Sequence, residues 1–308
     1  MSTGVIPDEL REYFDDPLVT DVLINDGTEV WVEREGTLRQ VTTIAPRSVD
    51  VVIERLLAPL GRRLDRLSPM VDARLSDGTR VCAVVPPVSI RGTTVAFRKF
   101  RDRVFTLDDF TDERTAATIA ARLSRGRGNV LITGATGSGK TSLLAAIASA
   151  SPSHQRLVVL EDTAELVIDH PHVVRLETRE ASADGRGAVT LHDLVRTSLR
   201  LRPDRLIVGE VRGTEAFALV QALNTGHSEC LATVHASSAL EGLHRLDLLV
   251  LQGAHGWDIL EARRTVNAAF DMVIHLERDH VGHRRVTQAG VLRDGTTRLD
   301  LFVDETTS

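Results

Sequence analysis

The chain has 308 residues, of which 42% are hydrophobic and 26% charged, with a formal net charge of −6. That balance fits a globular protein with room for two cores and excludes a disordered chain. No apolar run reaches the ~18 residues that cross a bilayer, and the acidic balance argues against nucleic acid as a direct partner.

The start, MSTGVIPDELREYFDD, is acidic and lacks the apolar centre of a signal peptide, so a cytoplasmic location is expected. LVTDVLIND and EVWVERE then read as strands joined by Asn-Asp-Gly turn chemistry, with TLRQVTTI as a third. SVDVVIERLLAPLG fits a helix capped by Ser48 and ended by Gly61. MVDARLSDGTRVCAVVPP reads as two strands around a Ser-Asp-Gly turn, and TTVAFRKF as one more. These elements predict a smaller α/β domain over residues 1–104, followed by a charged, non-periodic linker over 105–111.

From Thr111 the texture changes, and residues 112–308 read as a second domain. ERTAATIAARLSRG is helical and leads into the apolar strand NVLITG. RLVVLED, RLIVGE and CLATVH are further buried strands separated by helical segments, the pattern of a mostly parallel sheet covered by helices. MVIHLERD, RRVTQAGVL and RLDLFVDE read as antiparallel strands closing the domain. The two cysteines, Cys82 and Cys230, read as small core residues.

Only two of the 37 basic residues are lysines, Lys99 and Lys140. Coding bias accounts for most of that imbalance, yet a retained lysine marks a place where a compact ammonium is needed. Lys140 lies in GATGSGKTS, which fits G-x-x-x-x-G-K-[ST] directly after an apolar strand and before a helix. Gly134, Ala135, Thr136, Gly137, Ser138, Gly139, Lys140, Thr141 and Ser142 would form a phosphate cradle of inward-turned N–H groups at a helix N-terminus. In it Lys140 would reach the β- and γ-phosphates of ATP and Thr141 would ligate Mg²⁺. Glu161, with Asp162, and Glu210 follow the second and third apolar strands, where a parallel sheet faces its ligand. One carboxylate would serve Mg²⁺ and the other would orient a water, so spacing alone reaches a magnesium-dependent nucleoside triphosphatase.

With LVRTSLRLRPDRLIVGEVRGTEAF, LEDTAEL and ALNTGHSECLATVHASS added, the chain resembles the secretion and type IV pilus traffic ATPases over about residues 15–302, most of all the tight-adherence (Flp-type) TadA/CpaF branch. The resemblance implies a RecA-like P-loop ATPase domain behind the smaller N-terminal domain. It implies Glu161 as the residue that polarises the lytic water, Glu210 on the magnesium side, His235 as γ-phosphate sensor, and Arg80 and Arg98 as arginines that close on that phosphate. It further implies a homohexamer on the inner face of the cell membrane, working an inner-membrane platform protein that assembles or exports pilin-like subunits. A type IV secretion or conjugation ATPase and a non-hydrolysing nucleotide-bound scaffold are the alternatives. Two departures stand out: Gly209 precedes Glu210 where an Asp is usual, and Ser228, Glu229 and Cys230 follow His227 where relatives often carry a glycine.

The histidines flanking CLATV, His227 and His235, invite a metal reading with Cys230. Their spacing matches no usual zinc pattern, and an extended run sends Cys230 and His235 to opposite faces. His227 reads as structural.

Overall fold

The structure, a computed structural model, describes residues 6–99, 104–123, 128–179, 181, 186–226, 229–279, 282–292 and 299–304. The chain divides into two compact units, Met1–Asp102 and Arg103–Ser308. No helix among the described residues is long and apolar enough to cross a membrane.

The first unit contains α1 (Asp8–Asp15), β1 (Val19–Asn25), β2 (Glu29–Arg34), β3 (Thr37–Thr43), α2 (Pro46–Leu57), β4 (Met70–Arg74), β5 (Arg80–Val84) and β6 (Thr94–Arg98). Its sheet runs β3-β2-β1-β6-β5-β4, and every pairing is antiparallel. This smaller unit, mixing helices and strands, is an antiparallel sheet whose apolar face packs on two helices. Short turns connect β1 to β2, β2 to β3 and β4 to β5, too short for the crossover that a parallel pair requires. Val22, Ile24, Val30, Val81, Val95 and Phe97 alternate inward along their strands to meet Leu10 of α1 and Ile53 of α2. Each fully buried aliphatic of this kind contributes about 1.5–3 kcal/mol. The same alternation turns Cys82 outward, so it is exposed rather than a core residue. Helix α2 begins with Ala45 as its N-cap and not with Ser48, because Pro46 suits the first helical position.

The second unit contains α3 (Glu113–Leu123), β7 (Val130–Gly134), α4 (Lys140–Ser149), β8 (Leu157–Glu161), β9 (Val173–Glu177), α5 (Leu191–Ser198), β10 (Arg205–Val208), α6 (Glu215–Asn224), β11 (Cys230–His235), α7 (Ala239–Gly253), α8 (Ile259–Ala269), β12 (Met272–Arg278), β13 (Arg284–Leu292) and β14 (Leu299–Asp304). The sheet order is β14-β13-β12-β7-β11-β10-β8-β9. Strands β12 to β9 in that order are parallel; β13 runs against them, and β14, antiparallel to β13, closes the edge. β12 therefore belongs to the parallel sheet, contrary to expectation. The connection through α7 and α8 carries the chain back to the starting edge before β12 begins. β9, half-exposed at the sheet edge, was not foreseen because it lacks a continuous apolar run.

The central strands are buried on both faces. Leu131, Val158, Leu160, Val208, Ala232 and Val234 pack under α5–α8, while Ile132, Val159, Ile207, Leu231 and Ile274 pack under α4 with Ile119 of α3. The stretch expected as a linker, 105–111, is built into this second core: Phe110 is buried and its ring packs on Phe105.

Candidate active site

Four parallel neighbours, β7, β11, β10 and β8, end at one edge of the second sheet. In register, His235 stands beside Gly134 and Val208 beside Leu160. Gly134, His235, the Gly209–Glu210 pair after β10, and Glu161 are thereby brought side by side along the carboxyl edge.

The loop from Gly134 to Gly139 depends on two glycines. Gly134 has φ +154°, and a Cβ there would lie 2.6 Å from the Leu276 carbonyl oxygen. Gly139, the N-cap of α4 at φ +100°, would place a Cβ 2.7 Å from Arg284 Cδ. Both positions favour glycine by their backbone conformation, and Gly134 also for space against a backbone carbonyl. Ala135, Thr136 and Gly137 are exposed at the rim, Ser138 and Lys140 are buried, and Thr141 and Ser142 are half-buried in the first turn of α4. No side chain caps that helix, so its first N–H groups remain for a ligand anion. The Ser138 hydroxyl is buried without a hydrogen-bond partner. A loop turned by glycines, an uncapped N-terminus and an orphaned hydroxyl together fit a phosphate chain.

Lys140 Nζ donates to the carbonyls of Gly134 (3.1 Å) and Ala135 (2.9 Å), and lies 3.1 Å from His235 Nδ1. An ammonium only donates, so Nδ1 accepts and Nε2 carries the imidazole proton. That Nε2 lies 2.9 Å from Glu210 Oε1, a close polar approach without the alignment of a hydrogen bond. Burial and the Lys140 charge hold His235 below the ordinary histidine range, against the pull of Glu210. Burial raises the Glu210 pKa, but hydrogen bonding and charge from Arg212, with His235 and Lys140, outweigh it and leave the carboxyl low. Lys140 is itself lowered by burial.

Glu161 is 3% exposed at the end of β8. Its Oε1 accepts from the backbone N–H groups of Glu165 (2.7 Å) and Leu166 (2.8 Å), while Oε2 is buried without a partner. Burial raises its pKa, and those two N–H groups oppose the rise. Gly209 explains itself here: a Cβ would stand 3.1 Å from Glu161 Cγ, so a larger residue crowds this carboxylate.

Among the described residues no three His, Cys, Asp or Glu side chains cluster to hold a metal. Mg²⁺ at this edge would need phosphate oxygens beside Thr141 and Glu210, and that donor set of hydroxyl, carboxylate and phosphate is the oxygen chemistry Mg²⁺ takes. Cys230 sits at the other end of β11, and burial pushes its thiol up to about 12. It is a core residue. Arg80 and Arg98 are register partners on the outward face of the first unit's sheet, and Arg98 Nε donates to Asp21 at 3.0 Å. His227 lies outside the described residues.

Two residues escaped sequence reasoning. Arg212 bridges Glu210 (2.8 Å) and Asp162 (3.6 Å), but its only signal was a place in GEVRG among many arginines. His275 of β12 is 2% exposed, with Nδ1 2.8 Å from the hydroxyl of Thr133, the residue before the loop. A histidine inside the apolar run MVIHL was the available sign.

Residues 8–295 match the family model described as "Type II/IV secretion system protein". The chain is 38% identical over 292 residues to a putative conjugal transfer protein of Mycobacterium tuberculosis (strain ATCC 25618 / H37Rv), covering 91% of this chain and 82% of that one. It is 31% identical over 301 residues to Protein VirB11 of Agrobacterium fabrum, covering 86% of each. Among solved structures it resembles the VirB11 ATPase of the Brucella suis type IV secretion system, at 26% identity, a TM-score of 0.50 and 92% coverage of both chains. A cradle built for phosphates, acidic strand ends beside it and a family match spanning nearly the whole chain lead to one conclusion: the chain belongs to the type II/IV secretion system protein family.

Proposed function

We propose that the chain is a magnesium-dependent ATPase motor of a secretion machine. The observation that carries this reading is the continuous line Lys140–His235–Glu210 beside the glycine cradle. Lys140 and the α4 N-terminus would neutralise the phosphates, and Thr141 with Glu210 would hold Mg²⁺, which supplies charge neutralisation at the β- and γ-phosphates. Glu161, with a raised pKa and an unpaired oxygen, would orient and accept a proton from the attacking water. His235, neutral and carrying its proton on Nε2, would exchange its contact with Glu210 for a γ-phosphate oxygen. Arg80 and Arg98 would add positive charge from the first unit.

For the machine itself, the relatives' names favour a type IV secretion or conjugation system over the tight-adherence pilus expected from sequence. The tight-adherence reading rests on the resemblance of the quoted motifs. In either case the motor would be a homohexamer, cytoplasmic and peripheral on the inner face of the membrane, acting through a platform protein. Its cargo would be protein or protein–DNA, with no direct grip on nucleic acid.

Phosphate release from Mg²⁺–ATP tests the enzyme. Steady release that Lys140→Ala abolishes is expected, and nucleotide binding without release would make the chain a scaffold. Added DNA should leave the rate unchanged, and strong stimulation would instead indicate a nucleic-acid motor.

A further inference from the structure

We infer that Arg212 is a positioning residue that holds the Glu210 carboxylate in its working orientation and ties the end of β10 to the end of β8. The inference rests on the reading of this site as a magnesium-dependent ATPase.

An exposed arginine beside two acids is ordinarily a weak surface pair, and the Arg212 side chain is 61% exposed. Its frame is not ordinary. Gly209 N–H donates to the Leu160 carbonyl at 2.9 Å and Val211 N–H to the Thr233 carbonyl at 2.8 Å. The N–H groups of Arg212 (2.6 Å) and Gly213 (2.7 Å) both donate to Oε1 of Glu215, which is 8% exposed. The segment from 209 to 213 is therefore anchored by these four hydrogen bonds, all to acceptors outside it, and it presents the guanidinium from a fixed base.

From that base, Arg212 NH2 lies 2.8 Å from Glu210 Oε2 and NH1 lies 3.6 Å from Asp162 Oδ2. The other Glu210 oxygen, Oε1, faces His235. The guanidinium hydrogen-bonds one oxygen of this carboxylate, while the imidazole only stands close to the other. The orientation of the carboxylate, and with it the oxygen offered to a nucleotide-bound Mg²⁺, is therefore set by Arg212. Asp162 adds a weaker electrostatic attraction on the side facing β8. Lysine offers a point charge and no planar fork to span two carboxylates, so arginine is specifically suited.

Arg212→Ala, Arg212→Lys, Glu210→Gln and the double variant Arg212→Ala/Glu210→Gln form the test. Two curves are measured against Mg²⁺ concentration: phosphate release, and binding of a fluorescent non-hydrolysable ATP analogue. Arg212→Ala should raise the Mg²⁺ half-saturation about fivefold or more and lower kcat about tenfold, as expected for lost orientation of a reacting-site group. ADP affinity without Mg²⁺ should stay within about threefold, because the glycine cradle supplies those contacts. The melting temperature should stay within about 3 °C, as expected for an exposed pair. Arg212→Lys should fall between parent and Ala. The double variant should be no worse than Glu210→Gln alone. Unchanged Mg²⁺ dependence in Arg212→Ala, or losses that multiply in the double variant, overturn the inference. If the parent binds the analogue with Mg²⁺ but releases no phosphate, the ATPase reading fails and the binding curves alone judge Arg212. If Mg²⁺ does not affect analogue binding by the parent, both fail.

Discussion

Lys140 Nζ and His235 Nδ1 lie 3.1 Å apart across 95 residues of chain, and this contact fixes the proton of the imidazole on the nitrogen facing Glu210. The group that reaches for phosphate and the group beside the acidic residue are thus coupled. Turnover in His235→Ala should fall about ten- to hundredfold, the effect of losing one hydrogen bond to a charged group worth about 1.5–3 kcal/mol. ADP affinity should stay within about threefold. Calorimetric titration with ADP and an ATP analogue, beside a turnover assay, separates these outcomes. Equal loss of both affinities with a large drop in melting temperature would make His235 a core residue.

Lys140→Arg should be as inactive as Lys140→Ala although it keeps the charge. The ammonium is buried and fits between two loop carbonyls and an imidazole nitrogen, a space that a planar guanidinium overfills. Phosphate release at saturating ATP measures this, and a rate within about threefold of the parent would refute the tight fit.

Glu161 gives a pH signature in stability. Its folded pKa is raised above the ordinary 4.5 because the carboxyl is buried. Below 4.5 both folded and unfolded chains hold the proton. Between 4.5 and the raised value only the folded chain does, so this group's stabilising contribution is lost as pH rises through that window. Glu161→Gln lacks that loss. Its melting temperature relative to the parent should therefore climb as pH goes from about 4 to about 7, while its turnover is poor throughout. A flat difference across pH would mean the carboxyl is unperturbed.

Restoring the usual acid before Glu210 should harm this protein. In Gly209→Asp the new Cβ stands 3.1 Å from Glu161 Cγ, and its carboxylate raises the Glu161 pKa further by like-charge repulsion. The acid limb of the turnover profile should move to higher pH, with the rate at neutral pH several-fold lower. Gly209→Ala should show the milder steric effect alone. An unshifted limb in Gly209→Asp would count against the proximity.

Glu229 occupies a left-handed conformation, φ +69°, which favours glycine. Its carboxylate pairs with the buried Arg205 at 3.1 Å and accepts from Gln155 at 2.6 Å. Glu229→Ala should cost about 3 kcal/mol, the low end for stranding a buried partner. Glu229→Gly strands the same partner but relieves about 1 kcal/mol of backbone strain. Thermal melting should rank parent above Gly above Ala, and a Gly variant below Ala would mean the backbone is unstrained.

The sequence by itself determined whatever is local: the glycine spacing of the phosphate loop, the acids after apolar strands, the alternation of buried strands with helices, and the family. Each depends on a few neighbouring residues and their turn or periodic chemistry. Only the tertiary structure decided the rest. The order of strands in the first unit's sheet and the parallel direction of β12 depend on which strands meet, and a short apolar run carries no label for its partner. Cys82 faces outward because Val81 and Ala83 take the core. Arg212 could not be told from the other arginines until the order β7-β11-β10-β8 set Glu210 and Asp162 within its reach. The reason is physical: side chains that act together sit at the ends of different strands, and their distances are fixed by packing between segments remote in sequence.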